Sequence, residues 1–75
     1  MQAPAKKYEV AVHNEEVRRL VESGERHRQF EDSWADTHYI TLTARDALDA
    51  RRKAEARYPE NKGFVIKQIV LSEDD

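Results

Sequence analysis

The chain contains no cysteine, only two glycines and two prolines, and no long apolar run. Without cysteine there is no disulfide framework, no thiolate nucleophile and no thiolate zinc site. Gly24 and Gly63 stand far apart, so they cannot compose the glycine-rich loops that cradle phosphates, and a nucleotide-using enzyme is not expected. A membrane-spanning helix needs about 20 consecutive apolar residues, and the opening Met1–Lys7 lacks the apolar core of a signal peptide. The expectation is a soluble, cytoplasmic protein that needs no cofactor. An excess of charge of one sign is also missing. Thirteen Lys and Arg oppose fifteen Asp and Glu for a formal charge of −2, which offers no global attraction to nucleic acid or to an anionic membrane.

What is present is charge in quantity. Charged residues make up 37% of the 75-residue chain and hydrophobic ones 39%, against about 25% charged in a typical domain. A chain this short buries only roughly 60% of the surface it exposes when unfolded, so one small core is expected. Residues 1–75 therefore read as a single domain, ordered from about residue 7 to residue 71, between an unpatterned start and an acidic end, Ser72-Glu73-Asp74-Asp75.

Tyr8, Val10 and Val12 alternate with Lys7, Glu9, Ala11 and His13, the period of a half-buried strand. Asn14 is a good N-cap, Glu15 and Glu16 suit a helix start, and Val17, Leu20 and Val21 follow at helical spacing. Gly24 either ends that helix in a left-handed cap or sits within a helix that continues to Phe30. Glu25 to Asp36 fits neither period. A second strand is predicted over Thr37 to Thr43. Thr43 and Asp46 then resemble a capping box that opens a helix from Ala44 to Tyr58, stopped by Pro59. Its core side is expected to hold Ala47, Leu48, Arg51, Ala54 and Tyr58.

Phe64 to Leu71 is the strongest strand signal. Its Val65, Ile66, Ile69 and Val70 imply burial on both faces, hence a central strand or a bulge near Lys67-Gln68. The reading is α+β: a small β-α-β-α-β domain, a three-stranded sheet with two helices packed on one face. The second helix should join the last two strands by a right-handed parallel crossover. The direction of the first strand stays open. Leu48 and Ile66 are expected in the core, and the poorly covered second face favours a homodimer.

His13, His27 and His38 have no metal-binding spacing, so no metal site is expected. Ser33, Asp36 and His38 lack a nucleophile elbow or oxyanion motif, and catalysis is not expected. The basic groups Arg18-Arg19, Arg26-His27-Arg28 and Arg51-Arg52-Lys53 are interleaved with acids. A solvated helix face accounts for them, with Arg18, Arg19, Arg51, Arg52 and Lys53 as the candidates for a nucleic-acid surface. Trp34, Phe30 and Tyr39 either close the core or anchor a partner, since Trp and Arg are enriched at interface hot spots.

The stretch Thr37 to Val70, with its alanine-rich helix between two strands, loosely resembles the strand-helix-strand unit of small archaeal ribosomal proteins of the LX type. Asn14 to Asp36 departs from that pattern, and no role is carried over. The leading expectation is a non-catalytic interaction protein that binds another protein as regulator or inhibitor, through Arg26, His27, Arg28, Phe30, Trp34, His38 and Tyr39. The alternative is an RNA- or ribosome-associated module that uses the helix arginines.

Overall fold

The structure, a computed structural model, describes residues 5–72. Expectations placed on residues 1–4 and 73–75 lie outside the described residues. The elements are β1 (Lys6–Asn14), α1 (Glu15–Glu22), a 3₁₀ turn (Asp32–Ala35), β2 (His38–Ala44), α2 (Ala47–Arg57), a second 3₁₀ turn (Glu60–Lys62) and β3 (Phe64–Leu71). This is the expected α+β domain with one three-stranded sheet. Its strand order is β2-β1-β3, with β1 antiparallel to both neighbours. β2 and β3 are therefore parallel to each other, as α2's crossover requires, but β1 lies between them.

β3 is thus an edge strand, which corrects the central position its composition allowed. The bulge explains the composition instead. Ala11 faces Gln68 while Val12 faces Ile66, leaving Lys67 as an extra residue. One inserted residue reverses the side-chain phase. Phe64 and Ile66 before it, and Ile69 and Leu71 after it, therefore share the side of Val12, Val10 and Tyr8. Val65, Gln68 and Val70 take the other side.

The core consists of Tyr8, Val10, Val12, Leu42, Ala44, Ala50, Ala54 and Phe64. α2 lies over that side and presents Ala50 and Ala54, both fully buried, whose small side chains let the helix approach the strands closely. Leu48 is 60% exposed, so its expected core position is wrong, whereas Ile66 packs against the core. The cause is a shifted helix start. Ala44 continues the β2 alternation after Ile40 and Leu42 and pairs with Lys6. The cap is Asp46, which accepts the Asp49 N–H at 2.8 Å, while Asp49 accepts the Arg45 N–H at 3.0 Å. The reciprocal cap thus lies three residues beyond Thr43 and turns a different side of the helix inward.

α1 joins this layer at the sheet's end through the first 3₁₀ turn, tied there by the Arg18 Nε–H bond to the Ala35 carbonyl at 2.8 Å. It ends at Gly24, whose φ is 77°. The Gly24 N–H bonds the Val21 carbonyl at 3.0 Å and the Glu25 N–H bonds the Leu20 carbonyl at 2.7 Å, the paired bonds of a Schellman motif. Of the two readings left open at Gly24, the cap is the one found.

Asn14, fully buried, fastens β1 and α1 to β3. Its Oδ1 accepts the Val17 N–H at 3.0 Å and its Nδ2 donates to the Lys62 carbonyl at 3.0 Å. Beside it the Glu15 N–H bonds the Gly63 carbonyl at 2.7 Å. Gly63 has φ 95°, and a Cβ there would lie 2.7 Å from Asn14 Oδ1 and 2.7 Å from Glu16 Cγ. At Gly24 a Cβ would meet nothing within 4 Å. Gly24→Ala should therefore cost only the left-handed backbone penalty, about 1–2 kcal/mol. Gly63→Ala should cost clearly more, through displacement of Asn14. Urea midpoints of the two variants measure the difference, and equal midpoints would refute this account of the junction.

Candidate functional site

Phe64 opens β3 opposite Asn14 and is 5% exposed. Three rings gather on it: Phe30 at 4.9 Å, Trp34 at 5.3 Å and Tyr58 at 5.4 Å between centroids. All three contacts are edge-to-face, the arrangement the ring quadrupoles favour. Phe30 and Trp34 are half-buried and packed against the core. The segment without a period thus contributes its two aromatics inward, as the core reading of Trp34 anticipated.

The three histidines are spread among different partners. His38 stacks on Trp34 at 4.1 Å with an interplanar angle of 17°, and its Nε2–H donates to the Ser33 carbonyl at 2.9 Å. That bond engages the nitrogen a triad base would present, and with a main-chain acceptor. His27 Nδ1 accepts the Gln29 N–H at 3.0 Å and the Phe30 N–H at 3.3 Å, so its proton sits on Nε2, which donates to Glu16 at 3.1 Å. His13 is 4% exposed. Its Nε2 donates to Glu15 at 3.0 Å, and its buried Nδ1 has no partner. His38 pairs with Val12, so His13, one residue on, points to the opposite side of the sheet. Among the described residues no group of three or more His, Cys, Asp or Glu could hold a metal ion.

Arg26 and Arg28 are exposed. Tyr39, at 67% exposure the most open large hydrophobic residue described, lies across the sheet from His38 and Trp34 because strand neighbours alternate. Arg26 to Tyr39 is therefore not one continuous surface. Of the helix cations, Arg18 is bound to Ala35, Arg51 pairs with Glu55 at 3.6 Å, and Lys53 donates to the Thr43 carbonyl at 2.8 Å and lies 3.6 Å from Asp49. Arg19 and Arg52 are exposed.

The side of the sheet opposite α2 is the poorly covered second face that the sequence reading expected, although its residues were not assigned to it there. Tyr39, Thr41, Thr43, Val65, Gln68 and Val70 are all exposed there, around the small, buried Ala11. The alternation in each strand carries that information, but the β3 portion needs the bulge to be placed at Lys67. Comparison of the chain with protein-family models, with curated proteins and with solved structures finds no match.

Two predictions concern this region. Trp34→Ala should destabilise the domain by roughly 2–4 kcal/mol, less than a fully buried ring, since Trp34 is half-buried. Its fluorescence should be blue-shifted in the native chain. An unchanged melting midpoint would show that the ring contributes nothing to the core. The Glu15 carboxyl is held below its ordinary pKa chiefly by the His13 hydrogen bond, which acts against desolvation, with the Arg18, His13 and Arg19 charges adding in the same lowering direction. A carboxylate with a lowered folded pKa stabilises the protein above its unfolded value, and that contribution disappears as the pH falls through the folded one. Glu15→Gln should therefore flatten the loss of stability on acidification below the ordinary carboxylate range, read from denaturant midpoints at successive pH values.

Proposed function

We propose that the protein is a non-catalytic interaction protein that binds another protein as a regulator or inhibitor. The observation that carries this reading is the side of the sheet opposite α2. Tyr39 stands there 67% exposed, with Val65 at 39% and Val70 at 40%, on the same side as the hydroxyls of Thr41 and Thr43. An exposed aromatic among aliphatic and neutral polar groups matches the composition of interface centres, which are depleted in charge and enriched in Tyr. At its border that side carries one charge of each sign, Lys7 opposite Thr43 and Glu9 opposite Thr41, and so offers no net positive charge to a phosphate backbone. Arg18 is tied to the Ala35 carbonyl, and Arg51 and Lys53 each have an acid beside them at 3.6 Å, which further favours a protein partner over RNA.

The test is Tyr39→Ala. The variant should keep the native circular dichroism spectrum and melting midpoint while weakening binding to the identified partner by about 2 kcal/mol or more. Leu48→Ala, exposed on α2, should leave binding unchanged. Equal affinity of the Tyr39 variant would remove this face as the binding surface. Nucleic-acid binding that is detectable at low salt and falls steeply with added salt would favour the alternative class.

A further inference from the structure

We propose that β2 is a self-pairing edge, through which two copies of this chain join antiparallel about a twofold axis at Thr41 into a continuous six-stranded sheet. The two edges of the sheet differ. β3 carries a bulge and Lys67 at the bulge, two devices that prevent strand addition. β2, from His38 to Ala44, has no Lys, Arg, Asp, Glu, Pro or Gly, and its pairing with β1 is regular throughout.

The backbone groups that β2 leaves unpaired follow from one hydrogen bond. The Ser72 N–H bonds the Lys7 carbonyl at 2.9 Å, so the main-chain groups of Lys7 point toward β3. Thr43, its partner on β2, must then direct its own N–H and C=O away from β1, because non-bonded pairs alternate with bonded ones. Thr41 and Tyr39 follow at the same period. The Lys53 Nζ bond to the Thr43 carbonyl at 2.8 Å meets the strand on that outward side. A carbonyl has two lone pairs, so this bond does not prevent a second one.

A second copy fits this edge better than an arbitrary strand because the edge is complementary to itself. With the axis at Thr41, Thr41 opposes Thr41 of the second copy and Tyr39 opposes Thr43. Both are favourable cross-strand pairs, a hydroxyl pair and an aromatic against a β-branched residue. On the core side Ile40 meets Leu42. The strand brings no like charges together. Lys53 and Arg57, which line the cleft beside Thr41 and Leu42, do approach their counterparts, so added salt should strengthen the pairing by screening them. The assembly does not rest on the partner-binding reading above, although it would double that face.

The native chain should scatter light as a dimer of the 8.8 kDa protomer, and more completely at higher salt. Thr41→Pro removes only an outward N–H, which an edge strand tolerates; it should give a folded monomer. Thr41→Lys, which places two cations at the axis, should do the same and decides the question if the proline variant fails to fold. The chain lacks cysteine, so Thr41→Cys reports the axis directly. Bonded antiparallel pairs lie about 5.5 Å apart at Cα, within disulfide range, and Thr41→Cys should cross-link on mild oxidation while Gln68→Cys on β3 should not. A native monomer at about 1 mM, a dimer that survives Thr41→Lys, or faster cross-linking through Gln68→Cys would each overturn the proposal.

Discussion

The structure depends on a single buried amide. Asn14 is the last residue of β1 and the cap of α1, and it lies against the turn that begins β3. Its oxygen accepts from Val17 and its nitrogen donates to the Lys62 carbonyl, so both ends of the amide are satisfied without water. No apolar side chain could serve both bonds, and a carboxylate in its place would set an acceptor against the Lys62 carbonyl. A buried polar group left unpaired costs about 1–3 kcal/mol, a large share of the stability available to a domain of this size. The same contact dictates glycine at 63, since any side chain there would occupy the space of Asn14 Oδ1. Phe64, immediately after that glycine, is thereby delivered to the place where Phe30, Trp34 and Tyr58 converge.

How much of this was readable from the sequence follows from how local each determinant is. β1 and β2 announce themselves by period, β3 by its run of strand-forming residues, and Asn14 announces its cap by residue type, because those features act over a few neighbouring residues. The side that α2 turns inward was not readable. With alanines at 44, 47, 50, 54 and 56, several rotations of that helix bury similar apolar area, and the choice falls to the Asp46–Asp49 cap and to Ala44 remaining in the sheet. Glu25 to Asp36 has no period because its order comes from distant partners: Arg18 holds Ala35, Glu16 holds His27, and the rings seek Phe64. The candidate site suffered for the same reason. His38 and Tyr39 are adjacent in sequence and opposite in space, so a contiguous stretch rich in aromatic and charged residues was divided by one strand into a core contribution and an exposed one.

The histidines show how position alone assigns roles to one residue type. His27 is a structural acceptor for two main-chain N–H groups, His38 a flat surface for Trp34, and His13 a donor that holds Glu15 at the start of α1. Each has its proton directed by a neighbour, and each neighbour belongs to the joint between α1, the irregular segment and the sheet. Apart from His13 Nδ1, the imidazole, amide and carboxylate groups of that joint are matched donor to acceptor. That matching therefore fixes geometry that the small apolar core, with alanine as its helix contribution, is too featureless to specify.

The two sides of the sheet follow different rules. On the α2 side each strand supplies aliphatic or aromatic residues that meet a helix or a ring. On the other side Val65 and Val70 of β3, and Tyr39, Thr41 and Thr43 of β2 across β1 from them, are exposed. The edges show the same asymmetry: β3 has a bulge and a lysine, while β2 is uncharged and regular. A fold under pressure only to stay soluble would protect both edges alike, since an uncharged strand invites addition of another chain, and on β2 the one charge at the edge is the Lys53 ammonium on the Thr43 carbonyl. Protection so unequal is what a domain needs when association has to occur in a single direction and stop there. The twofold axis proposed on β2 would satisfy that condition, because it would consume the open edge of both copies and leave only the two bulged β3 strands at the ends of the sheet.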